Sequence, residues 1–229
     1  MYKTTMIFMT VLLLLAGGSS AQTEANTDAD SPRLHAGLVL GYFSGFEIQG
    51  NFTVSNFAQG FPLSARVGIG YTMLDPGTAT DARRIFINNA TNGIPEEKGR
   101  MWDFRMDLMY PVKLFNMERA YLTFGPRHSR FKANFKYVGG NEDFDVTSNQ
   151  WGLGTGIEGY FPMSKRVDFT LSGGIDYFLK ARLAGHDTSY DPNGDDINPR
   201  EEYTFDDADK AIGQPKFEFR VMLGFSYGL

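Results

Sequence analysis

Several groups of residues in this chain have the types and spacing that chemistry requires. His128 and Ser129 stand side by side, a base next to a hydroxyl, the two components of an activated oxygen nucleophile. Asp103 and Asp107 are spaced as a possible acid/base couple, with Arg105 between them. Asp191, Asn193, Asp195 and Glu202 match ligand positions one, three, five and twelve of a calcium loop. Asp196 fills the sixth position, where the sharp turn requires glycine, so a solvated, mobile acidic loop is the expected outcome and weak cation binding the alternative. Arg127 and Arg130 carry guanidiniums, which pair well with phosphate. The sequence has no Cys, which removes disulfides, thiolate metal sites and a thiol nucleophile.

The element that carries each group decides among these chemistries, and almost the whole chain alternates with period two. Trp102, Phe104, Met106, Leu108 and Tyr110 are interleaved with Asp103, Arg105 and Asp107; Phe217, Phe219, Val221, Leu223, Phe225, Tyr227 and Leu229 with Glu218, Arg220 and Gly224. A 180° period of this length predicts β-strands, and helical spacing fits none of these windows. Eight strands are expected, at about 35–43, 47–55, 64–74, 100–114, 119–138, 149–161, 167–182 and 215–229. In the fifth, Leu122 and Phe124 share one parity whereas Phe131, Ala133, Phe135 and Tyr137 take the other; a one-residue bulge at Gly125-Pro126 would restore a common facing. Adjacent strand residues point to opposite faces, so His128 and Ser129 do not form a dyad in a regular strand. Asp103, Arg105 and Asp107 share a face, which predicts a compensated ladder rather than catalysis.

The 229 residues carry a formal charge of −5, 14% aromatic residues, 20 Phe and 26 Gly. An acidic balance argues against nucleic-acid binding, which needs a basic footprint. Residues 1–21 read as a signal peptide, with Lys3, an apolar stretch from Ile7 to Ala16, and the small residues Ser19-Ser20-Ala21. Residues 22–34 are expected to be a flexible leader, and residues 35–229 one β-domain. Short connections near residues 116–118 and 162–166 alternate with longer ones at about 75–99, 139–148 and 183–214, which describes an up-and-down meander with both termini at the tight-turn end. Near Ser44-Gly45 the connection is short as well.

Such a meander closes either as a soluble lipocalin-like carrier, apolar inside, or as a membrane barrel, apolar outside. Gly37, Gly41, Gly68, Gly70, Gly152, Gly154 and Gly156 share the polar parity, where a narrow lumen would use them to admit long charged neighbours. Tyr42, Trp102, Tyr110, Tyr121, Trp151, Phe161, Tyr177 and Tyr227 gather towards strand ends, as interfacial girdles do. Lipid outside is therefore predicted. The lumen would then hold a charge network of Glu47, Arg66, Asp103, Arg105, Asp107, Glu158, Asp168, Asp176, Glu218 and Arg220, with Lys132, Lys180, Arg182 and Lys216 on the same parity. An eight-stranded lumen is only wide enough to be filled by side chains or to hold one small ligand, and desolvated charges must pair. A salt-bridged plug is the expectation and a narrow conduit the alternative.

With its leader, eight alternating strands, loop asymmetry and a last strand running to the chain end, the sequence resembles the bacterial outer-membrane eight-stranded barrels of the OmpA/OmpX type. The run from Phe217 to Leu229 resembles the C-terminal assembly signal of that family, whose members usually end in Phe or Trp where this chain has Leu229. The resemblance implies an all-β, antiparallel, up-and-down transmembrane barrel in the cell outer membrane. It also implies outer-membrane lipid, lipopolysaccharide and the assembly machinery as partners, no cofactor, and a monomer. Lipid A-modifying enzymes of this barrel class use His with Ser, but the deacylase pattern His-x-Ser-Asn is absent here. The expected role is non-enzymatic, envelope-structural or surface-interacting. A small porin, a lipid A-modifying enzyme and a periplasmic carrier are the alternatives. Arg127 and Arg130 are the candidate lipopolysaccharide contacts.

Overall fold

The computed structural model describes residues 32–58, 60–87, 92–114, 117 and 119–229. The expected signal peptide and residues 22–31 of the leader lie outside the described residues. The chain forms β1 (Arg33–Phe43), β2 (Gly45–Ser55), β3 (Ser64–Leu74), α1 (Ala79–Phe86), β4 (Ile94–Val112), β5 (Arg119–Val138), β6 (Asp143–Pro162), β7 (Val167–Phe178), β8 (Leu183–Ala184), β9 (Ser189–Tyr190), α2 (Phe205–Ala211) and β10 (Phe217–Gly228). Seven long strands and β10 make the wall, each hydrogen-bonded antiparallel to its neighbours. The β1–β10 and β5–β6 ladders complete the closure, so the wall has no open edge. Closure matters physically, because a free row of N–H and C=O groups cannot be satisfied in lipid.

The facing is the one expected of a membrane barrel. Phe219 is 64% exposed, and Trp102, Leu171 and Leu223 also point outward, while Glu47, Asp103, Arg105 and Asp176 on the opposite parity are fully buried. Tyr42, Trp102, Trp151 and Tyr177 ring the outside at one level, with the Tyr71 and Trp102 rings in tilted contact at 4.9 Å between centroids. Tyr110, Phe161 and Tyr227 ring it at the other. Trp102 and Tyr110 are separated by eight residue steps, or ~27 Å of strand. With a barrel tilt of about 40°, this is a belt roughly 20 Å tall, close to the ~25 Å of a membrane barrel. Tyr121 departs from the expected girdle: it shares the lumen parity and packs edge-on against Tyr160 at the terminal end of the bore.

No bulge interrupts β5. Arg105 pairs with Arg127 and Leu108 with Phe124 in the same register, and β5 meets β6 one-for-one from Arg119 to Lys136. The parity change seen in the sequence has a different cause. Thr123, Gly125, Arg127, Ser129, Phe131, Ala133, Phe135 and Tyr137 all face inward, but the surroundings change along the strand. Below Ser129 the outer face meets lipid and the inner face is polar. Above it the strand stands in water, so Arg130, Lys132, Asn134 and Lys136 turn outward and the apolar residues turn in. Lys132 is thereby placed outside rather than in the lumen.

That upper tier is longer than expected. β4 begins at Ile94 rather than near 100, and β6 begins at Asp143 rather than near 149, which leaves only residues 139–142 to turn between β5 and β6. Gly139, with φ at +76°, supplies the left-handed turn residue. β7 ends at Phe178, β10 spans Phe217–Gly228, and β1 takes in Arg33 and Leu34 from the expected leader. The tier encloses a conventional hydrophobic core of Phe131, Phe135, Phe144 and Val146 from the wall, with Ile85, Phe86, Leu183, Tyr190, Ala208 and Ile212 from the loops. Fully burying such a side chain stabilises by ~1.5–3 kcal/mol. The core explains why the acidic fourth loop is folded rather than the solvated, mobile chain expected.

Candidate functional site

The two places where chemistry-bearing side chains converge are the bore and the cap above it. Within the bore, β2, β3, β4, β5, β6, β7 and β10 each contribute inward residues two apart, which stacks their charges into one network. Glu158 receives Arg66, which also donates to Asp107 at 3.0 Å. Asp107 is held from its other oxygen by Arg127 at 2.8 Å. Arg127 donates through Nε to Asp176 at 2.9 Å, and Asp176 further approaches Arg220 at 3.6 Å and Arg105 at 3.9 Å. Arg105 forms a fork onto Asp103, with Nη2 and Nε at 2.5 and 2.9 Å, and lies 3.6 Å from Glu47. Four guanidiniums and five carboxylates are thus linked, and every one is buried.

Glycine makes this density possible. A Cβ on Gly154 would sit 1.8 Å from Asp176 Oδ1, and one on Gly70 would sit 2.0 Å from Asp103 Oδ1 and 2.1 Å from Glu47 Oε1. The charged groups occupy the volume that a side chain on the lumen parity would have taken. The space bounded by Gly37, Asn51, Arg66, Glu158 and Thr170 measures about 10 Å³, at the lower limit of the ~10–15 Å³ that one water requires. Above the charges, Phe43, Met101 and Phe178 form an apolar layer, followed by the cap.

Eight of the ten residues expected in the network form it: Glu47, Arg66, Asp103, Arg105, Asp107, Glu158, Asp176 and Arg220. Asp168 lies at the terminal mouth, paired with Arg119. Glu218 lies at the loop end, where it accepts from the Ser44 hydroxyl and, at 3.0 Å, from the Lys216 backbone N–H. Arg127 is a correction. It is fully buried at the centre of the network rather than on the rim, so it makes no lipopolysaccharide contact. The supposed bulge had concealed its parity; unbroken alternation from Thr123 to Arg127 was the signal that could have found it. Arg130, one turn of the zigzag from the lumen, is exposed with its guanidinium 5.8 Å from the Phe104 ring centroid.

His128 and Ser129 separate as strand geometry requires. His128 lies outside between Phe104 and Trp151, with ring centroids 6.1 and 4.7 Å away, while Ser129 faces inward and donates to Gln150 at 3.3 Å. The calcium-loop set does not converge either. Arg182 occupies its centre, donating to an Asp191 carboxyl oxygen and to the Asp195 carbonyl, both at 2.9 Å. Asp196 accepts from the Asp191 backbone N–H at 2.7 Å. The backbone N–H of Asn193 and then Arg182 hold the Asp191 carboxyl below its ordinary pKa. Asn193 and Glu202 have no place in a shared shell, and no group of three or more metal-binding side chains occurs among the described residues.

The cap is built from the long connections between β3 and β4 and between β7 and β10. Buried Ala79, Ala82, Ile85 and Phe86 make one face of α1, and Glu97 accepts its Ala79 N–H at 2.7 Å, satisfying a free helix-terminal donor. Thr204 and Asp207 form a capping box at the start of α2. The hydrogen bond from Thr204 holds the Asp207 carboxyl below its usual pKa. Arg200 reaches the last carbonyls of α1, donating to Ile87 at 2.9 Å and to Arg84 at 2.5 Å. Phe86 meets Tyr190 edge-on at 5.5 Å. Outside, Lys180 pairs with Asp206 at 2.8 Å and Lys216 with Asp209 at 3.0 Å, so these cations balance the acidic loop.

No protein-family model matches the chain, and no curated protein matches it. Solved structures do. A major outer membrane protein from Thermus thermophilus superposes with a TM-score of 0.70 at 21% identity, over 87% of this chain and 100% of that one. Ail, the attachment invasion locus protein of Yersinia pestis, matches at a TM-score of 0.40 and 12% identity, over 86% and 97% of the two chains. Neisserial surface protein A matches at 0.37 and 12%, over 86% and 94%. The Thermus likeness, the closed antiparallel wall and the outward apolar belt agree with one another, and the chain has the fold of an eight-stranded outer-membrane β-barrel.

Proposed function

We propose that this chain is a non-enzymatic outer-membrane barrel, sealed to ions and small solutes, whose role is to hold a folded cap rigidly above the outer surface for contact with other molecules. The observation that carries this reading is the continuity of the filling: a buried ion network, an apolar layer and a hydrophobic core occupy the bore in succession. A conduit would need a continuous polar gap, and the space beside Arg66 and Glu158, about 10 Å³, is too small to be part of one. The separation of His128 from Ser129 favours the non-enzymatic reading.

Single-channel recording in planar bilayers tests it. The expected result is bilayers that contain the refolded protein yet remain electrically silent. Reproducible unitary conductance steps from the folded, heat-modifiable species would overturn the proposal in favour of a porin.

A further inference from the structure

Five buried side-chain oxygens gather around Gly70 without a hydrogen-bond partner: both of the Glu47 carboxylate, Asp103 Oδ1, Gln49 Oε1 and Thr72 Oγ1. All four residues are 0–1% exposed, and a buried acceptor left unpaired is costly. The strand register brings them together. Gln49 and Asp103 stand directly opposite Gly70 on its two sides, and Thr72, the next inward residue of β3, stands directly opposite Glu47. Gly70 keeps the middle of this ring free of a side chain. A Cβ added there would lie 2.0 Å from Asp103 Oδ1 and 2.1 Å from Glu47 Oε1, so those two oxygens are no farther apart than the sum of these distances. Met101, opposite Thr72, belongs with Phe43 and Phe178 to the apolar layer that closes the ring off from the loop end.

Charge is out of balance at the same place. Glu47 and Asp103 share one guanidinium, Arg105, which forks onto Asp103 Oδ2 and lies 3.6 Å from Glu47. Across the whole network five carboxylates face four guanidiniums. One positive charge is wanting, and oxygens are the atoms left to receive it. Oxygen donors select hard cations. Such ions of calcium's size take oxygens at ~2.3–2.6 Å, a reach that bridges Glu47 Oε1 and Asp103 Oδ1. Two carboxylates, two neutral oxygen donors and a single charge in excess match a monovalent ion of that size, which is sodium. A proton between Glu47 and Asp103 would also balance the charge, but it would satisfy two of the five oxygens, whereas a metal ion can be ligated by all of them. We infer that Glu47, Gln49, Thr72 and Asp103 bind one sodium ion, captured on folding and held as a structural part of the network.

Urea unfolding of the refolded protein in uncharged detergent tests it, at one ionic strength set by sodium, potassium or N-methylglucamine chloride. Sodium should raise the midpoint saturably, by roughly 0.5–1 M, because an ion that binds only the folded state stabilises it by mass action. The larger potassium ion should raise it less, and N-methylglucamine not at all. E47Q, whose network holds four charges of each sign, should keep its heat-modifiable migration and lose the sodium response. T72V removes one neutral oxygen at constant shape and should move the sodium titration to about tenfold higher concentration. D168N, at the terminal mouth, should respond to sodium as wild type does. Equal midpoints in the three salts, or a sodium response that persists in E47Q, would overturn the inference. So would a midpoint that ignores the cation but falls with rising pH in the wild type and not in E47Q, which would assign the wanting charge to a shared proton.

Discussion

Asp176 faces three guanidiniums in the bore, and replacing it by Asn exposes what the network contributes. Asn keeps the volume that Gly154 makes available but removes the charge facing three guanidiniums, at 2.9, 3.6 and 3.9 Å. Arg127 retains Asp107, and Arg105 retains Asp103 and Glu47. Arg220 retains nothing, since its one direct ion pair among the described residues is with Asp176. Leaving a buried charge uncompensated costs ~3–5 kcal/mol. For a urea slope of ~2 kcal/mol/M this is a midpoint shift of roughly 2 M. Equilibrium unfolding in detergent, followed by tryptophan fluorescence and heat-modifiable migration, measures it. The double variant D176N/R220M removes the orphaned cation together with its partner, so it should be more stable than D176N alone by about 2 kcal/mol, within the usual coupling range of contacting residues. A D176N midpoint within roughly 0.3 M of wild type, under ~1 kcal/mol on that slope, or a double variant that simply sums the two single losses, would refute the claim that these charges stabilise as a network.

Gly154→Ala should cost ~1–3 kcal/mol through overpacking against Asp176 and Arg127. Gly173→Ala, whose nearest neighbour would be 3.9 Å away, should be neutral or slightly stabilising by the same unfolding assay. Phe86→Ala removes a fully buried ring from the core of the cap and should cost ~3–5 kcal/mol locally. The readout is limited proteolysis, with new cleavage between residues 179 and 216 and an intact barrel fragment; unchanged resistance would show that the cap does not depend on this core. The pH dependence of the cap follows from Asp207. Its folded-state pKa lies below the unfolded value because Thr204 hydrogen-bonds the carboxylate, so its contribution is complete above the unfolded pKa of roughly 4 and is lost as pH falls through the lower, folded value. The protection factor for hydrogen exchange at the start of α2 should therefore fall on acidification below about pH 4, and D207N should show the lower protection already at neutral pH.

Much of this molecule was legible in its alternation. The run Trp102–Tyr110 against Asp103, Arg105 and Asp107 specified a strand, its two faces and the ion ladder on one of them. The glycines that share the charged parity pointed to a crowded lumen, as the contacts of Gly70 and Gly154 bear out. The calcium-loop spacing misled, because a one-dimensional match does not show that Arg182 lies at its centre. The folded cap was not legible either: α1 and α2 are short, and their apolar faces make sense only against Phe131, Phe135 and Phe144.

Periodicity alone determined which residues share a face of the wall, since side chains alternate whatever surrounds the strand. What lies against each face is a property of position along the barrel axis, and only the tertiary structure decided it. β5 crosses from lipid into water without changing register, so its apolar residues exchange outside for inside at Ser129 and Phe131. Arg127 belongs to the bore and Arg130 to the outer wall because they stand three residues apart on opposite faces of an unbroken strand; what parity does not record is that the outer face passes from the apolar belt into water between them.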